Sequence, residues 1–469
     1  MNAIPSAYII PSGTITLSES GTFDVTSYAS ADVTVTGGDP LVEWYKDVAL
    51  NSRVLDVANY NSSVLSSALA ACSNIYSYAF NGRKFSGSFA FPNVTTIAEH
   101  AFGSIGSITD TGSEATFSFP LCSVVQSNAF DLYTYPFKIY FSSALTGAGL
   151  EHSAFYNCYR LNEVHMPNVT SISANYLFYR CSSLSAINLQ NLEKIEAQGV
   201  FQGAGLYEVS FSKLSAISYG FNFASCQKLR EINLSLITEL SGQQTFANNL
   251  VLTTISLPNL SIINGYSMFA SCSTLSYVIL PALTKISANG TQCFGNCSGL
   301  ISAEFPQLSM VIAAGMFSSC SNLLTVSLPR LQSISASNMF SSCRRLQAIN
   351  LPSYEYTAVT SNMFFTCYSL STVSFPKTSK LSGVSMFRSC YQLVSIFLLG
   401  SSLTALGNTI SSMFFSTPVS TYSTAAGRWA SIFVPSSLLA SYKAATNWTT
   451  VSSKIFAYED YFDAEGNPK

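Results

Sequence analysis

One phrase of about 23 residues recurs through most of this chain of 469 residues. A clear copy begins at Phe317, continues through Cys320, Val326 and Leu328, and is followed by the next copy at Phe340. The leading phenylalanine returns at steps of 22 to 25 residues, at Phe155, Phe178, Phe201, Phe223, Phe246, Phe269, Phe294, Phe317, Phe340, Phe364 and Phe387. Such a fixed period indicates a solenoid, in which each unit buries its apolar face only by stacking on its neighbours.

The Leu-x-x-Val-x-Leu part of the phrase alternates apolar and polar residues, which predicts a short strand with one buried face. A proline often ends this strand, because proline lacks a backbone N–H for the ladder. Looser copies at Phe102, Phe130 and Phe414 extend the repeats to about fourteen turns. We therefore expect a β-rich solenoid of short parallel strands, with core columns of Phe, Leu, Val or Ile, and Cys.

The full pattern Phe-x-x-Cys-x-x-Leu-x-x-Val-x-Leu-Pro-x-Leu-x-x-Ile resembles the leucine-rich repeat of the BspA-like family. The resemblance covers about three quarters of the chain and rests on eleven closely spaced copies. It implies the leucine-rich-repeat solenoid fold. It also implies a role as an adhesion or recognition surface.

Four parts are predicted along the chain. Residues 1–38 form a small β module, and residues 39–68 form a hinge and a helical N-terminal cap. Residues 69–418 hold the repeats, and residues 419–469 form a C-terminal cap and tail. A terminal repeat needs a cap because its outer face would otherwise expose core side chains.

The C-terminal part is expected to contain a strand that ends at Pro435 and a helix capped by Ser436 or Ser437. A last strand is predicted around Phe456, and the polar tail from Asp460 is expected to be frayed.

The N-terminal module is predicted from alternating residues around Ile15, Phe23 and Val33. The stretch from Pro11 to Val35 resembles a module of tail-associated proteins from phages of gut Firmicutes. The alternative is an ordinary short hairpin plus a strand. Neither a signal peptide of the usual form nor a run of 18 apolar residues is present. We therefore expect a virion-tail or extracellular protein that does not insert into membranes.

Charge is sparse in this chain. Charged residues make up 10% of it, against about a quarter in an ordinary soluble domain. The net charge is −2, and no cluster of Lys and Arg is evident that would release counterions from a phosphate backbone. Nucleic acid is therefore not expected as a partner.

Nine of the twelve cysteines occupy the slot three residues after the leading phenylalanine. Ala204 and Asn249 fill the same slot in other turns, which favours a small buried side chain over a redox or metal role. Cys293 and Cys297 form the only close pair, and the three histidines lie far from them in sequence. We expect buried free thiols, no metal and no cofactor.

A row of residues on the outward face of the strands is the candidate ligand-binding surface, because these side chains point away from the core. We call it the strand-face row; it consists of His165, Asn188, Ser210, Asn233, Ser256, Ile279, Glu304, Ser327, Asn350, Ser374 and Phe397. Small polar side chains in such a row could bind an extended glycan or peptide by many weak contacts. The alternative is a sheet face kept polar for solubility.

A second candidate surface is the aromatic stretch from Tyr133 to Tyr140, in a place where the repeat is distorted. It could bind a sugar or protein partner. Core packing is the favoured interpretation, because large aromatic side chains mostly serve packing.

Catalytic motifs are not found: the chain has no Gly-x-Ser-x-Gly elbow, no phosphate-binding loop and no His-Glu-x-x-His. We therefore expect a non-enzymatic recognition protein for a protein or glycan on a cell surface. Its expected setting is a phage tail, where residues 1–38 could contact other virion proteins. One alternative is a cellular BspA-like adhesin. The other is a carbohydrate-active enzyme that assembles paired carboxylates from different turns.

Overall fold

The structure is a computed structural model, and it describes residues 13–16, 33–36, 73–75, 77, 80, 85, 87–103, 114–133, 135–142, 144–335, 337–357, 361–422, 424 and 426–469. The chain divides into two compact units, Met1–Leu206 and Tyr207–Lys469, here called unit 1 and unit 2. The predicted hinge and helical cap of residues 39–68 lie outside the described residues.

Unit 1 contains two ladders of parallel strands, numbered in chain order. The longer strands form one sheet of β4 (Gly87–Ala90), β6 (Ala115–Phe119), β8 (Phe137–Phe141), β9 (Leu161–His165) and β11 (Ala186–Asn188). Two-residue strands form the other ladder: β3 (Asn74–Ile75), β5 (Thr96–Ile97), β7 (Val124–Val125), β10 (Ser171–Ile172) and β12 (Lys194–Ile195). A 3-10 helix spans Gly147–Gly149. Near the N-terminus, β1 (Gly13–Thr16) pairs in parallel with β2 (Val33–Thr36).

Unit 2 repeats the same arrangement. Its first ladder contains β13 (Glu208–Val209), β15 (Glu231–Asn233), β17 (Thr254–Ser256), β19 (Tyr277–Ile279), β21 (Ser302–Glu304), β23 (Thr325–Ser327), β25 (Ala348–Asn350), β27 (Thr372–Ser374), β29 (Ser395–Phe397), β31 (Ser431–Val434) and β32 (Ile455–Ala457). Its second ladder contains β14 (Ala216–Ile217), β16 (Glu239–Leu240), β18 (Ile262–Ile263), β20 (Lys285–Ile286), β22 (Met310–Val311), β24 (Ser333–Ile334), β26 (Tyr356–Thr357), β28 (Lys380–Leu381) and β30 (Ala405–Leu406).

Both ladders advance by one strand per repeat, and the prediction of a parallel-strand solenoid is confirmed. In unit 2, for example, Tyr277 pairs with Ser302 and Ser302 pairs with Thr325, one step of the period each time. Counted over both units, the described residues form about 15 turns with little helix.

Columns of stacked phenylalanine rings fill the core of each unit. In unit 2, Phe317 lies 5.7 Å from Phe294 and 5.6 Å from Phe340, measured between ring centroids, with the rings nearly parallel. In unit 1, Phe155 and Phe178 stack at 5.2 Å. These rings are buried. Each repeat adds one ring to a column, which explains why the phenylalanine recurs in every turn.

The turn that holds each core phenylalanine forms a third ladder of hydrogen bonds. Gly315 and Ser319, two residues before and after Phe317, have φ angles of 67° and 64°. The backbone N–H groups of Gly315, Phe317 and Ser319 donate to carbonyls of the next turn, at Ser337, Met339 and Ser341, over 2.8 to 2.9 Å. In this turn every second N–H therefore points along the stack, and the two left-handed residues flank the core phenylalanine.

The cysteine slot has a hydrogen-bonding role that the sequence pattern did not reveal. The Sγ atom of Cys320 donates to the carbonyl of Phe294 in the preceding turn at 3.0 Å. The same contact recurs at 2.9 to 3.3 Å for Cys158, Cys181, Cys272, Cys297, Cys343, Cys367 and Cys390. Asn249 makes it through its side-chain amide, at 3.0 Å from the carbonyl of Phe223. The slot therefore accommodates a small buried side chain and, in most turns, uses it as a hydrogen-bond donor; Ala204 fills the slot without one.

The C-terminal strand ends at Pro435 as predicted, and β32 is the predicted last strand. A 3-10 helix, Ser436–Leu438, leads into the helix α2 (Leu439–Ala444); α1 (Ile410–Met413) lies earlier in the chain. The predicted serine cap is wrong: neither Ser436 nor Ser437 accepts a capping hydrogen bond. Instead, the N–H of Ser436 donates to the carboxylate of Glu459 at 2.8 Å.

The expectation of a frayed tail is also wrong. Phe462 forms an antiparallel bridge with Pro468, and the N–H of Asn467 donates to the carboxylate of Asp463 at 2.7 Å. Further 3-10 helices span Thr449–Lys454 and Tyr458–Asp460. The tail is anchored because Phe462 packs on Phe433 at 5.1 Å, a contact that polar composition alone does not suggest.

Candidate functional site

The strand-face row lies outside the core, on the outward side of the first ladder of each unit. In unit 1, His165 pairs directly with Asn188. In unit 2, Asn233 pairs with Ser256, and Asn350 pairs with Ser374. Ile279, Glu304 and Ser327 form another continuous set. Ser210 lies one residue beyond β13, and it is exposed.

Two members of the row differ from the open polar surface that the sequence suggested. The ring of Phe397 stacks on Phe433 at 5.1 Å, and Phe462 lies edge-on to it at 5.5 Å. The C-terminal tail therefore covers much of this position. Glu304 accepts a hydrogen bond from Tyr277 of the neighbouring strand, which raises the pKa of that tyrosine.

A cluster of charged side chains stands on the same face in unit 1. The Nζ atom of Lys138 lies 3.2 Å from Glu114 and 3.6 Å from Glu163. These side chains are only 24% to 35% exposed. The hydrogen bond and the charge of Glu114 raise the pKa of Lys138, so the ammonium group stays charged through the ordinary pH range.

An aromatic pair adjoins this cluster. The rings of Tyr140 and His165 stack with centroids 4.4 Å apart. The Nε2 atom of His165 lies 2.6 Å from Glu163, and this hydrogen bond lowers the pKa of the Glu163 carboxyl group. Burial raises the pKa of Tyr140, and its hydrogen bond to Glu163 raises it further. We call Glu114, Lys138, Tyr140, Glu163 and His165 the unit 1 polar cluster.

A β-bulge sets Glu163 opposite Lys138 in this cluster. The pairing of β8 with β9 shifts by one residue, so that Phe137 pairs with Leu161 while Lys138 pairs with Glu163. Asn162 is the extra residue, and its amide donates to Glu114. Bulges often re-aim side chains at functional sites. The distorted repeat that the sequence showed here therefore has a structural consequence.

The aromatic stretch from Tyr133 to Tyr140 divides between the core and the outward face. Tyr133 and Phe137 are fully buried in the core. Tyr140 belongs to the outward face and contacts His165. Sequence reasoning missed Lys138 and Glu114 as site residues. The alternation of apolar and polar residues in β8 could have identified Lys138, because Lys138 and Tyr140 flank the buried Ile139 and so point outwards.

The cysteines of the described residues are buried and form no disulfide with one another, and Cys293 and Cys297 are among them. Within those same residues, no group of three or more His, Cys, Asp or Glu side chains could hold a metal ion. The described part of the chain also has no helix long and apolar enough to cross a membrane.

Several solved structures of repeat proteins are similar to this chain. A leucine-rich repeat protein from Bacteroides ovatus ATCC 8483 is 20% identical, over 53% of this chain and 82% of that chain, with a TM-score of 0.31. A leucine rich cell surface protein from Faecalibacterium prausnitzii A2-165 is 19% identical, over 70% of this chain and 83% of that chain, with a TM-score of 0.37. The pneumococcal vaccine antigen PcpA is 14% identical, over 79% of this chain and 87% of that chain, with a TM-score of 0.36. No curated protein matches the chain.

A family model provides the assignment. The model of the BspA type leucine rich repeat region, in six copies, matches residues 56–131, 114–222, 198–307 and 288–417. The matched segments join without a gap and span well over half of the chain. The chain belongs to the family of BspA-type leucine-rich-repeat proteins.

Proposed function

We propose that this chain is a non-enzymatic recognition protein that binds a partner on a cell surface through the outward strand face of its repeats. The observation that carries the proposal is the unit 1 polar cluster. It concentrates two carboxylates, an ammonium group and a stacked aromatic pair on one face, in a chain with only 10% charged residues.

The cluster suits binding better than proton transfer. The side chains hold each other in place, so a partner meets a preorganised set of donors and acceptors and little side-chain entropy is lost on binding. A glycosidase acid needs a carboxyl group whose pKa is raised. The pKa of Glu163 is lowered instead, because His165 and Tyr140 donate to its carboxylate.

The expected partner is a protein, with a cell-surface glycan as the alternative. Leucine-rich-repeat folds generally bind proteins. In unit 2 the strand-face row presents Asn233, Ser256, Asn350 and Ser374, whose amide and hydroxyl groups both donate and accept hydrogen bonds.

A phage tail is the proposed setting, and a secreted or cell-surface adhesin is the second candidate. The resemblance of residues 11–35 to tail-associated proteins supports the first setting. Membership of the BspA-like family supports the second. Under the first setting, residues 1–38 would attach the protein to other virion components.

Binding of the purified protein to intact gut Firmicutes cells, in parallel with a glycan array, tests this function. We expect strain-restricted binding, and we expect the double variant Lys138→Met and Tyr140→Ala to lose it. A matched control is Tyr219→Ala, which removes an exposed tyrosine of unit 2 that does not belong to the cluster. Equal binding by both variants, or no binding to any cell or glycan, would contradict the proposal.

Deletion of residues 1–38 separates the two settings. In a phage, the deletion should abolish incorporation into virions while the purified protein still binds cells. Release of sugar from a bound glycan would instead support the carbohydrate-active alternative.

A further inference from the structure

Two adjacent columns of solvent-facing side chains run along the turns of unit 2. The first occupies the position after the core phenylalanine and contains Phe365, Arg388 and Phe415. The second occupies the position after the core cysteine and contains Arg344, Tyr368 and Tyr391. Apart from the half-buried Phe365, these side chains are exposed, and Phe415 is 53% exposed. We call these six residues the arginine–aromatic face.

Each arginine of this face is stacked on rings. The guanidinium carbon of Arg388 lies 5.9 Å from the ring centroid of Phe365 and 5.1 Å from that of Phe415, in the turns on either side. The guanidinium carbon of Arg344 lies 5.6 Å from the ring centroid of Tyr368, which stacks on Tyr391 at 5.4 Å. These contacts hold each guanidinium group over an aromatic ring and reduce the entropy lost when its N–H groups bind a partner.

The electrostatic character of this region is cationic, although the whole chain has a net charge of −2. Between residues 330 and 391 the only acidic residue is Glu355, whereas the basic residues are Arg330, Arg344, Arg345, Lys377, Lys380 and Arg388. A guanidinium group only donates hydrogen bonds, and the edge of an aromatic ring carries positive potential. The face therefore presents positive groups to a partner.

We propose that the arginine–aromatic face binds an acidic, extended peptide segment of a partner protein. Arginine and aromatic residues are enriched in the energetic centres of protein interfaces, whereas Lys and Glu are depleted there. The stack of Tyr368 on Tyr391, together with Arg344 over the ring of Tyr368, occupies ring faces on which a sugar would otherwise lie. This geometry favours a peptide over an acidic glycan.

The spacing of the two arginines fits such a peptide. Arg344 and Arg388 come from turns two steps apart, which places them about 10 Å apart along the stack at the strand spacing of a sheet. In a polyproline II segment, residues three apart lie on one side at about 9 Å. Because the two arginines belong to neighbouring columns, a segment that crosses the columns obliquely, with acidic side chains at every third position, can meet both guanidinium groups in bidentate contacts.

The test uses the full-length protein and a synthetic peptide of twelve residues with Asp at every third position and Pro and Tyr between. Fluorescence anisotropy measures its affinity, and a twin peptide with Asn in place of Asp is the control. We expect the Asp peptide to bind, the Asn peptide to bind at least about tenfold more weakly, and added salt to weaken binding.

Variants then locate the site. Arg388→Gln and Phe415→Ala should each weaken binding of the Asp peptide about tenfold. The first variant removes the positive charge, and the second removes one of the two rings that contact Arg388. Arg330→Gln is the matched control, since Arg330 contacts Gln307 and lies outside the face; it should leave affinity unchanged. Circular dichroism checks that each variant is folded.

Three results would overturn the proposal: equal affinity for the Asp and Asn peptides, equal weakening by Arg330→Gln and Arg388→Gln, or binding of an anionic oligosaccharide such as polygalacturonate in place of the peptide. The last would identify an acidic-glycan site. The proposal does not depend on the unit 1 polar cluster, so variants at Lys138 and Tyr140 should leave peptide binding intact.

Discussion

At the scale of single residues, the most consequential position is the buried slot three residues after each core phenylalanine. A thiol fits it because Sγ can donate to one carbonyl and has no strong acceptor that would then need a partner. Asn249 fills the slot differently: its amide nitrogen donates to the carbonyls of Phe223 and Phe246, at 3.0 and 2.9 Å. Among the described residues, its buried Oδ1 atom has no hydrogen-bond partner.

Asn249→Cys should therefore stabilise the protein by about 1 kcal/mol, because it retains a donor and removes an unpaired buried oxygen. Urea denaturation monitored by circular dichroism measures the change. Asn249→Ala is the control and should destabilise the protein, since it also removes the donor. A lower unfolding midpoint for the cysteine variant would show that the second amide contact outweighs the unpaired oxygen.

The left-handed positions of the turns give a second prediction at this scale. Thr366 has a φ of 58° although its β-branched side chain disfavours that conformation. Asparagine tolerates it and occupies the same turn position at Asn248 and Asn296, with φ of 60° in both. Thr366→Asn should raise the free energy of unfolding by about 1 kcal/mol. Ser389→Asn, at an equivalent position without β-branching, should change it less.

At the scale of secondary-structure elements, the C-terminal helix α2 is joined to the repeats by polar as well as apolar contacts. The N–H of Thr404 donates to the hydroxyl of Tyr442, and its carbonyl accepts from the indole of Trp448, both at 2.8 Å. All three residues are buried. The backbone of one repeat residue is thus satisfied by two side chains from the C-terminal segment.

Tyr442→Phe should lower the free energy of unfolding by about 1–3 kcal/mol, because it leaves the buried N–H of Thr404 without its partner. Hydrogen exchange at the Thr404 amide should accelerate in the variant. Tyr461→Phe, which changes a tyrosine that is 46% exposed, is the control and should have little effect. Unchanged exchange at Thr404 would mean that another group replaces the hydroxyl.

At the scale of the whole molecule, a nearly strict period made the fold predictable, because successive turns place their core Phe, Leu and Ile residues at corresponding positions. The candidate site in unit 1 lies where the repeat departs from this period, so the period does not reveal it. Lys138 and Glu114 lie in an irregular repeat, and the bulge at Asn162 that sets Glu163 opposite Lys138 depends on pairing between strands. Likewise, the cap by Glu459 and the packing of Phe462 are tertiary contacts that local patterns do not encode.

The buried thiols of both units predict how the whole chain responds to alkali. Burial raises the pKa of Cys122 in unit 1, and of Cys272 and Cys320 in unit 2, from 9.0 to about 12. The folded state therefore disfavours the thiolate, whereas the unfolded state ionises near pH 9.0. Below that pH both states carry the proton and these groups add no pH dependence. Between pH 9.0 and about 12 the unfolded state is favoured increasingly, so stability should fall as pH rises.

Urea midpoints measured from neutral pH upwards should stay level and then decline above pH 9.0. Near neutral pH, a thiol reagent should leave the described cysteines of the native protein unmodified and label them only after unfolding, because the thiolate is the reactive form and these side chains are buried. Cys320→Ala is the control. It removes one buried thiol, so the fall in stability above pH 9.0 should be smaller by the contribution of that thiol. Rapid labelling of native protein, or a midpoint that is level across the alkaline range, would mean that the repeats open locally far more easily than their packed Phe and Cys columns imply.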